Sequence, residues 1–402
     1  MARQPRHHQY NDTNDIPALG LWNTRGKGRY PVGAAQTAKN VDILPDANDK
    51  YGYEGREGYT QSRSFTNATQ SYATEDGTRL FVINDGSLVE IGSNLIGTVL
   101  ATGMGSSDYT FVEVGPRIYV LGANSRIISG SESFAFNIPQ PSTPVIQITN
   151  GELNPGQYTV GIVYTDELGR QGPLSPVTTV EVTNVQGISV VGTVPVGYTA
   201  RIYVTQANGE VLYDWGDFDG SVVISGDLTH LVTPISEEQI GSSVGSFLGL
   251  SAYYDGRLYT SQYVASQDVT YIFYSYSFWH NLYKPQSMYI AIQGKVNSMD
   301  SVQGKLVITT SRQILAYDGD SLETVADYGT IEGSPTATDY ADDTLYLWTV
   351  RGVCSLFPLK NLTEEKVSLP PGSEASTAFL NVRGTKRFMV LTDTLGNSFN
   401  KY

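Results

Sequence analysis

The stretch Asp255-Gly256-Arg257-Leu258-Tyr259 reads as a tight turn followed by an apolar strand, and five other stretches repeat this pattern. The other copies contain Asp76-Gly77-Thr78-Arg79-Leu80-Phe81-Val82-Ile83, Pro116-Arg117-Ile118-Tyr119-Val120-Leu121, Gly304-Lys305-Leu306-Val307-Ile308, Asp343-Thr344-Leu345-Tyr346-Leu347-Trp348 and Lys386-Arg387-Phe388-Met389-Val390-Leu391. With Leu80, Ile118, Leu258, Leu306, Leu345 and Phe388 as markers, the gaps are 38, 140, 48, 39 and 43 residues. A period near 40 residues with several strands per period is typical of β-propeller blades. The pattern predicts an all-β fold built on a β-propeller.

The long second gap predicts an insertion. It equals one blade plus about 100 residues, which is the size of a small β-sandwich. Three prolines within residues 139–144 mark a stiff linker at its start, and Asn208-Gly209 is a hairpin signal inside it. We therefore expect a fibronectin- or immunoglobulin-like β-sandwich. The predicted organisation is an extended N-terminal arm (1–40), a first propeller segment (41–138), the inserted sandwich (139–245) and a second propeller segment (246–402).

The number of blades follows from the number of copies. Six copies predict six blades, and seven is the alternative. In that alternative, residues 41–70 either complete a seventh blade or close the ring by pairing with the C-terminal strand.

Composition narrows the class of protein. The chain has 402 residues, 40% of them hydrophobic, and no apolar segment long enough to cross a bilayer or to serve as a secretory signal. Its one cysteine, Cys354, lies in a strand-like stretch and is expected to be a buried, inert thiol. The net charge is −14, but residues 1–30 carry +3 and the rest −17. An acidic body argues against tight wrapping of nucleic acid, because such binding needs many cations against the phosphates.

No catalytic, cofactor-binding or metal-binding residues are predicted. The histidines His7, His8, His230 and His280 have no zinc-ligand spacing, and there is no nucleophile elbow or phosphate-binding loop. Asp214, Asp217 and Asp219 resemble an oxygen-rich calcium loop but lack the ligand order of a helix–loop–helix site. The chain is therefore predicted not to be an enzyme.

Twelve aromatic residues fall between Tyr253 and Tyr289. Two interpretations are open: a shelf that stacks bases or sugars, and packing between neighbouring blades. Packing is the preferred interpretation, because aromatic residues at alternating strand positions commonly fill the space between sheets.

Several short phrases, in order, resemble a family of structural proteins of bacteriophage virions. They span most of residues 20–395, and it is their shared order that is specific. The phrases are Asn40-Val41-Asp42-Ile43, Arg56-Glu57-Gly58-Tyr59, Gly156-Gln157-Tyr158, Gly169-Arg170, Arg201-Ile202-Tyr203-Val204-Thr205, Asn208-Gly209, Asp327-Tyr328-Gly329-Thr330-Ile331-Glu332-Gly333-Ser334, Trp348-Thr349-Val350-Arg351-Gly352-Val353-Cys354 and Asn361-Leu362-Thr363. Glu54-Gly55 stands where that family commonly has a second arginine.

The resemblance implies a structural tail component similar to the nozzle or hub of short-tailed phages. Its implied partners are further copies of itself in a ring, expected to be a hexamer, together with portal or adaptor proteins, tail fibre proteins and, transiently, double-stranded DNA in the lumen. No stable membrane insertion is expected, and the implied location is the virion tail, assembled in the host cytoplasm. The alternative is a glycan-binding or glycan-cleaving β-propeller that recognises a receptor.

Overall fold

We describe a computed structural model of the chain, covering residues 41–45, 51–55, 65, 67–105, 108–243, 249–364, 371–382 and 385–392. The predicted N-terminal arm lies outside these residues. The described part is all-β, and its only helical element is one 3-10 turn, η1 (Glu238–Ile240). Among the described residues there is no helix with the length and apolarity needed to span a membrane. The all-β prediction is confirmed.

The chain divides into two compact units, one comprising residues 65–306 and the other residues 307 onward together with the first two strands. The predicted boundaries at 139 and 245 both fall inside the unit of residues 65–306, and they remain predictions.

The first ten strands are short. They are β1 (Val41–Pro45), β2 (Tyr51–Gly55), β3 (Ala68–Ala73), β4 (Leu80–Asn84), β5 (Ser87–Ile91), β6 (Gly97–Ala101), β7 (Thr110–Val114), β8 (Arg117–Leu121), β9 (Arg126–Ser129) and β10 (Glu132–Ala135). The antiparallel pair β1–β2 forms a two-stranded sheet of its own.

The next strands form two facing sheets. They are β11 (Val145–Leu153), β12 (Gly156–Asp166), β13 (Thr178–Val182), β14 (Gln186–Val191), β15 (Tyr198–Thr205), β16 (Leu212–Phe218) and β17 (Ser221–Ile224). One sheet has the order β11-β14-β17 and the other β13-β12-β15-β16. Both contribute to one hydrophobic core, with Ile188 and Ile224 from the first sheet and Val160 and Ile202 from the second.

The remaining strands complete the chain. They are β18 (Ser242–Ser243), β19 (Ser251–Tyr254), β20 (Arg257–Val264), β21 (Val269–Tyr276), β22 (Trp279–Tyr283), β23 (Tyr289–Gln293), β24 (Val296–Val302), β25 (Lys305–Thr310), β26 (Ile314–Tyr317), β27 (Leu322–Ala326), β28 (Glu332–Ser334), β29 (Thr336–Asp339), β30 (Thr344–Thr349), β31 (Gly352–Ser355), β32 (Lys360–Asn361), β33 (Glu374–Val382) and β34 (Thr385–Thr392). Strands β18–β23 form a six-stranded sheet, and β34 pairs with β33, which in turn pairs in parallel with β28.

Four of the sheets are four-stranded meanders, in which each strand pairs with the next along the chain: β3–β6, β7–β10, β24–β27 and β29–β32. Four copies of the repeated phrase supply the second strands of these meanders, β4, β8, β25 and β30. The other two copies supply β20 and β34, the second strands of the hairpins β19–β20 and β33–β34. The strands predicted from the phrase are therefore present at every copy.

The turns that open two of these copies explain why the phrase recurs. Asp255 and Gly256 have φ of +46° and +73°, and Gln303 and Gly304 have +48° and +68°. A two-residue hairpin with positive φ at both positions has the twist that continues into paired strands, and Gly adopts this conformation without a steric penalty.

Successive sheets of the unit 65–306 pack face to face through alternate residues of one strand. On β8, Ile118 and Val120 enter a core shared with the sheet β3–β6, whereas Tyr119 and Leu121 enter a core shared with β20–β22. Strand β19, of the sheet β18–β23, also lies beside β7 and β24. The sheets on either side of the long gap in the repeat are thus neighbours, because period-2 alternation places opposite faces of β8 against different partners.

Candidate functional site

A cavity of about 490 Å³ lies between the start of β8, the turn that follows β12, and the hairpin that leads into β22. Its volume is in the range of small-molecule sites. All of the residues that line it belong to the unit 65–306. They are Val114, Pro116, Arg117, Tyr119, Leu168, Gly169, Arg170, Gln171, Phe278, Trp279, His280 and Asn281.

One wall of the cavity comes from β8. Because side chains alternate along a strand, Arg117 and Tyr119 fall on the same face. Tyr119 is buried, and its ring packs edge-on against Phe136, with the ring centroids 5.8 Å apart. Burial raises the pKa of the Tyr119 hydroxyl, while the positive charges of Arg170 and Arg117 act in the opposite direction. Tyr119 is therefore a neutral hydrogen-bonding group at neutral pH.

The second wall is the turn after β12, which Asp166 holds in shape. Its Oδ1 accepts the backbone N–H groups of Leu168 (3.1 Å) and Arg170 (2.8 Å). Gly169 takes φ of +75°, a conformation that Gly adopts without strain. The turn is an Asp-capped loop whose local sequence specifies its geometry.

The guanidinium of Arg170 is fully engaged. It forms an ion pair with Asp166, with Nη2 and Oδ2 2.6 Å apart and both side chains about one-tenth exposed. It also donates to the carbonyl oxygens of Phe136 (2.8 Å) and Ala135 (2.7 Å). Arg170 therefore fastens the turn to the end of β10, and its charge is balanced by Asp166.

A chain of amides fixes the next residue, Gln171. Its carbonyl oxygen accepts Nδ2–H of Asn281 (2.9 Å), and its Oε1 accepts Nε2–H of Gln239 (2.8 Å). Gln239 is buried and also reaches the Tyr203 hydroxyl (3.3 Å). The floor of the cavity is thus held by hydrogen bonds that cross from the two-sheet segment to β22.

His280 is half-buried on the third wall. Its Nδ1 lies 3.1 Å from the Tyr119 hydroxyl, and its ring stands edge-on to the rings of Tyr119 and Tyr253, at centroid distances of 5.6 and 5.5 Å. Its Nε2 is buried and has no hydrogen-bond partner in the described residues. The two ring nitrogens thus differ in their surroundings: Nδ1 lies beside the Tyr119 hydroxyl, and Nε2 has no hydrogen-bond partner in the described residues.

Burial lowers the pKa of His280, and the positive charges of Arg117 and Arg170 lower it further. The backbone of Gly256 acts in the opposite direction, although it does not meet Nε2 in hydrogen-bond geometry. His280 is therefore neutral at pH 7, where it can donate or accept a hydrogen bond but carries no charge.

Phe278 stands beside the cavity in an unfavourable backbone conformation. Its φ is +62°, and its side chain is 78% exposed. Its backbone N–H donates to the Gly256 carbonyl oxygen (2.8 Å), which holds the turn in place. A bulky side chain in the left-handed region costs about 1–2 kcal/mol, and turns of this kind normally carry Gly or Asn.

The charge of the lining is one-sided. It contains two arginines and a histidine, and none of the described residues that line it is Asp or Glu. Arg117 has no ion-pair partner among the described residues. In a chain with 40 acidic and 26 basic residues, this cavity is a locally positive, aromatic-edged site.

The residues considered from sequence have other roles. Asp214 and Asp217 lie on the strand β16, not on a loop, and both accept from Arg201 at 2.8 Å. No cluster of three or more His, Cys, Asp or Glu side chains suited to a metal occurs within the described ranges. Cys354 is fully buried, as predicted, and its Sγ lies 3.6 Å from the hydroxyl oxygens of both Tyr328 and Thr349. His230 is exposed, with Nδ1 2.6 Å from the Asp227 carbonyl oxygen, and His7 and His8 lie outside the described residues.

The aromatic cluster of residues 253–289 divides between packing and exposure. Tyr254, Tyr259, Phe273 and Tyr283 are buried, which confirms the packing interpretation for them. Tyr263, Phe278 and Tyr289 are exposed, and of these Phe278 lines the cavity. The sequence offered no signal for the cavity itself, because Arg117, Arg170 and His280 come from three distant segments.

Comparison with known proteins assigns no family. No family model and no curated protein matches the chain. Among solved structures, it is similar to the extracellular domain of a one-component system from B. thetaiotaomicron, at 10% identity and a TM-score of 0.26 over 86% of this chain. The chain spans about half (48%) of that protein.

Two further solved structures show similarity at the same level. A streptogramin B lyase has 11% identity and a TM-score of 0.25, covering 74% of this chain and 95% of the lyase. A dipeptidyl peptidase 4 from Porphyromonas gingivalis has 13% identity and a TM-score of 0.29, covering 79% of this chain and 48% of the peptidase. Likeness this low transfers neither a family nor an activity, so function is argued from the chain's own residues.

Proposed function

We propose that this chain is a structural component of a phage tail, a nozzle or hub subunit that assembles into an oligomeric ring around the DNA exit channel. The observation on which the proposal mainly rests is the repeated four-stranded meander. The ordered phrases that resemble virion proteins add the phage tail to it. Four-stranded sheets at a period near 40 residues are the building units of a propeller. We take the six sheets that contain the copies of the phrase, four of them four-stranded meanders, as six blades, with seven as the alternative, and the two-sheet segment β11–β17 as the inserted sandwich.

The packing of the sheets supports a propeller. Blades of a propeller stack face to face and place their first strands towards a common centre. Strand β8 contributes alternate residues to the cores shared with two neighbouring sheets, and β19 lies beside both β7 and β24, the first strands of the meanders β7–β10 and β24–β27. This packing is expected if residues 139–245 are inserted between two successive blades and the two blades still pack against each other.

Electrostatics supports a conduit. Residues 31–402 carry a net charge of −17, which would repel the phosphates of a passing duplex and keep it from adhering to the wall. A closed ring also requires heterologous contacts between neighbouring subunits. The N-terminal arm and the sandwich are proposed to supply them, with the protein located in the virion tail after assembly in the host cytoplasm.

Assembly is the test. Mass photometry of the purified full chain, alone and mixed with candidate portal or adaptor proteins, should give a species of six copies. A chain that remains monomeric with every such partner would contradict the proposal.

A second candidate function is recognition of a glycan receptor, and the cavity beside Arg117 and His280 is the observation that favours it. Glycosidases of the usual type need a pair of carboxylates at the scissile bond. Because the described lining carries none, the cavity supports binding and not cleavage.

A further inference from the structure

We infer that the cavity between β8, the turn after β12 and β22 binds a carboxylate-bearing monosaccharide unit, such as a hexuronic acid. The inference rests on the second candidate function and is independent of whether the chain forms a ring.

The acidic group is inferred from the charges of the lining. Arg170 is neutralised by Asp166 and uses its donors within the protein. Arg117 has no carboxylate partner among the described residues and lines the same cavity. A guanidinium binds a carboxylate through two parallel hydrogen bonds, so Arg117 is the residue assigned to the ligand's acidic group.

A second polar contact is inferred from His280. Its Nε2 is buried and lacks a hydrogen-bond partner in the described residues, and His280 is one of the residues that line the cavity. A buried polar atom without a hydrogen bond is costly, and its retention indicates a group that is satisfied when something binds. Since the imidazole is neutral, a sugar hydroxyl, which can both donate and accept, fits it whichever tautomer is present.

The ring body of the ligand is inferred from Phe278 and Trp279. Phe278 keeps an aromatic ring at the cavity although its backbone conformation favours Gly or Asn. Its ring lies beside Gly256, but the residue is largely exposed, so most of its apolar surface is open to a ligand. An exposed aromatic face beside polar donors offers the apolar surface on which a sugar ring lies.

Isothermal titration calorimetry with the full chain tests the inference. The ligands are glucuronic acid, glucose and inorganic phosphate, and the variants are Arg117→Gln, Phe278→Asn and, as a charge-matched control outside the cavity, Arg126→Gln. The Arg126 side chain donates to Ser133 on the neighbouring strand, so its loss removes one positive charge without touching the lining.

We expect saturable binding of glucuronic acid, at least about tenfold tighter than glucose, because one charge-assisted bidentate contact separates them. Arg117→Gln should weaken the binding of glucuronic acid by about tenfold or more, and Phe278→Asn should weaken it by about threefold to tenfold. Arg126→Gln should leave the affinity for glucuronic acid unchanged. Thermal unfolding of each variant shows whether the fold is retained. Arg117→Lys is a second variant, which keeps the positive charge but loses the bidentate contact, and it should bind glucuronic acid more tightly than Arg117→Gln does.

Three results would overturn the inference: no saturable binding of the acidic sugar to the wild-type chain, equal binding by Arg117→Gln with the fold intact, or phosphate binding as tightly as glucuronic acid and independently of Phe278. The last would make the cavity a plain anion site. A failed ring assay would leave all of these readouts untouched.

Discussion

The hydroxyl of Tyr119 and Nδ1 of His280 lie 3.1 Å apart although 161 residues separate them in the chain. The contact joins β8 to β22, which lie on either side of the two-sheet segment β11–β17 in the chain. It therefore links the integrity of the two sheets to the protonation state of one imidazole.

The first prediction concerns stability at mildly acidic pH. Burial depresses the pKa of His280, so the unfolded chain, with a histidine pKa near 6.5, binds the proton more readily than the folded chain. The contribution of neutral His280 to the free energy of unfolding is complete above about pH 6.5 and is lost as the pH falls towards the pKa of His280 in the folded chain. Between about pH 7.5 and about pH 5.5, the free energy of unfolding measured with urea should fall less for His280→Asn than for the wild type. His230→Asn, at an exposed site, should behave like the wild type, and equal losses in all three proteins would refute the assignment.

The second prediction concerns the ion pair of the turn. The Arg170 side chain is only about one-tenth exposed, and Asp166→Asn removes its counter-charge. The substitution should therefore lower the free energy of unfolding by about 3 kcal/mol. The double variant Asp166→Asn/Arg170→Gln should recover some of this loss. Asp217→Asn is the matched control, because Asp217 is 92% exposed and its pair with Arg201 should contribute less than about 1 kcal/mol.

The third prediction separates stability from binding at Phe278. Phe278→Asn relieves the strain of a bulky residue at positive φ and should raise the free energy of unfolding by up to about 1 kcal/mol. The same substitution should weaken the binding of the acidic sugar. Leu95→Asn is the control, since Leu95 has φ of +63° far from the lining. It should stabilise by a similar amount and leave binding unchanged. A Phe278→Asn variant that unfolds more easily than the wild type would show that the ring serves the fold.

The fourth prediction concerns Tyr328 and Cys354. Burial, followed by the hydrogen bond and the charge of Cys354, raises the pKa of Tyr328 to about 12. Because the unfolded tyrosine titrates near 10, the stabilisation is present below about pH 10 and is lost as pH rises from there to about 12. Spectrophotometric titration should find one fewer late-ionising tyrosine in Tyr328→Phe than in the wild type, and this difference should disappear after denaturation. A thiol reagent should label Cys354 only under unfolding conditions, and rapid labelling of the native chain would contradict its burial.

Much of the fold was predictable because its signals are local. An Asp-Gly turn followed by alternating apolar residues specifies a hairpin, and the strands predicted at Leu80, Ile118, Leu258, Leu306, Leu345 and Phe388 are all present. The hairpin predicted at Asn208 is also present, with Asn208 at φ of +60° between β15 and β16.

The cavity was not predictable, for the opposite reason. Arg117, Arg170 and His280 meet only after three separate elements pack, and neither the repeated phrase at Arg117 nor the Gly169-Arg170 phrase indicates a binding site. The acidic stretch Asp214–Asp219 resembles an oxygen-rich metal loop in composition, although its spacing predicted no metal site. There the strand β16 places Asp214 and Asp217 against Arg201, and sequence spacing alone does not reveal that partner.

The most direct test of the proposed tail function is electron microscopy of the purified full chain, with and without portal or adaptor proteins. We predict rings of six copies around an open channel, each subunit showing a propeller of six or seven blades with a sandwich-sized domain attached. Isolated subunits under all conditions, or particles without a channel, would contradict it.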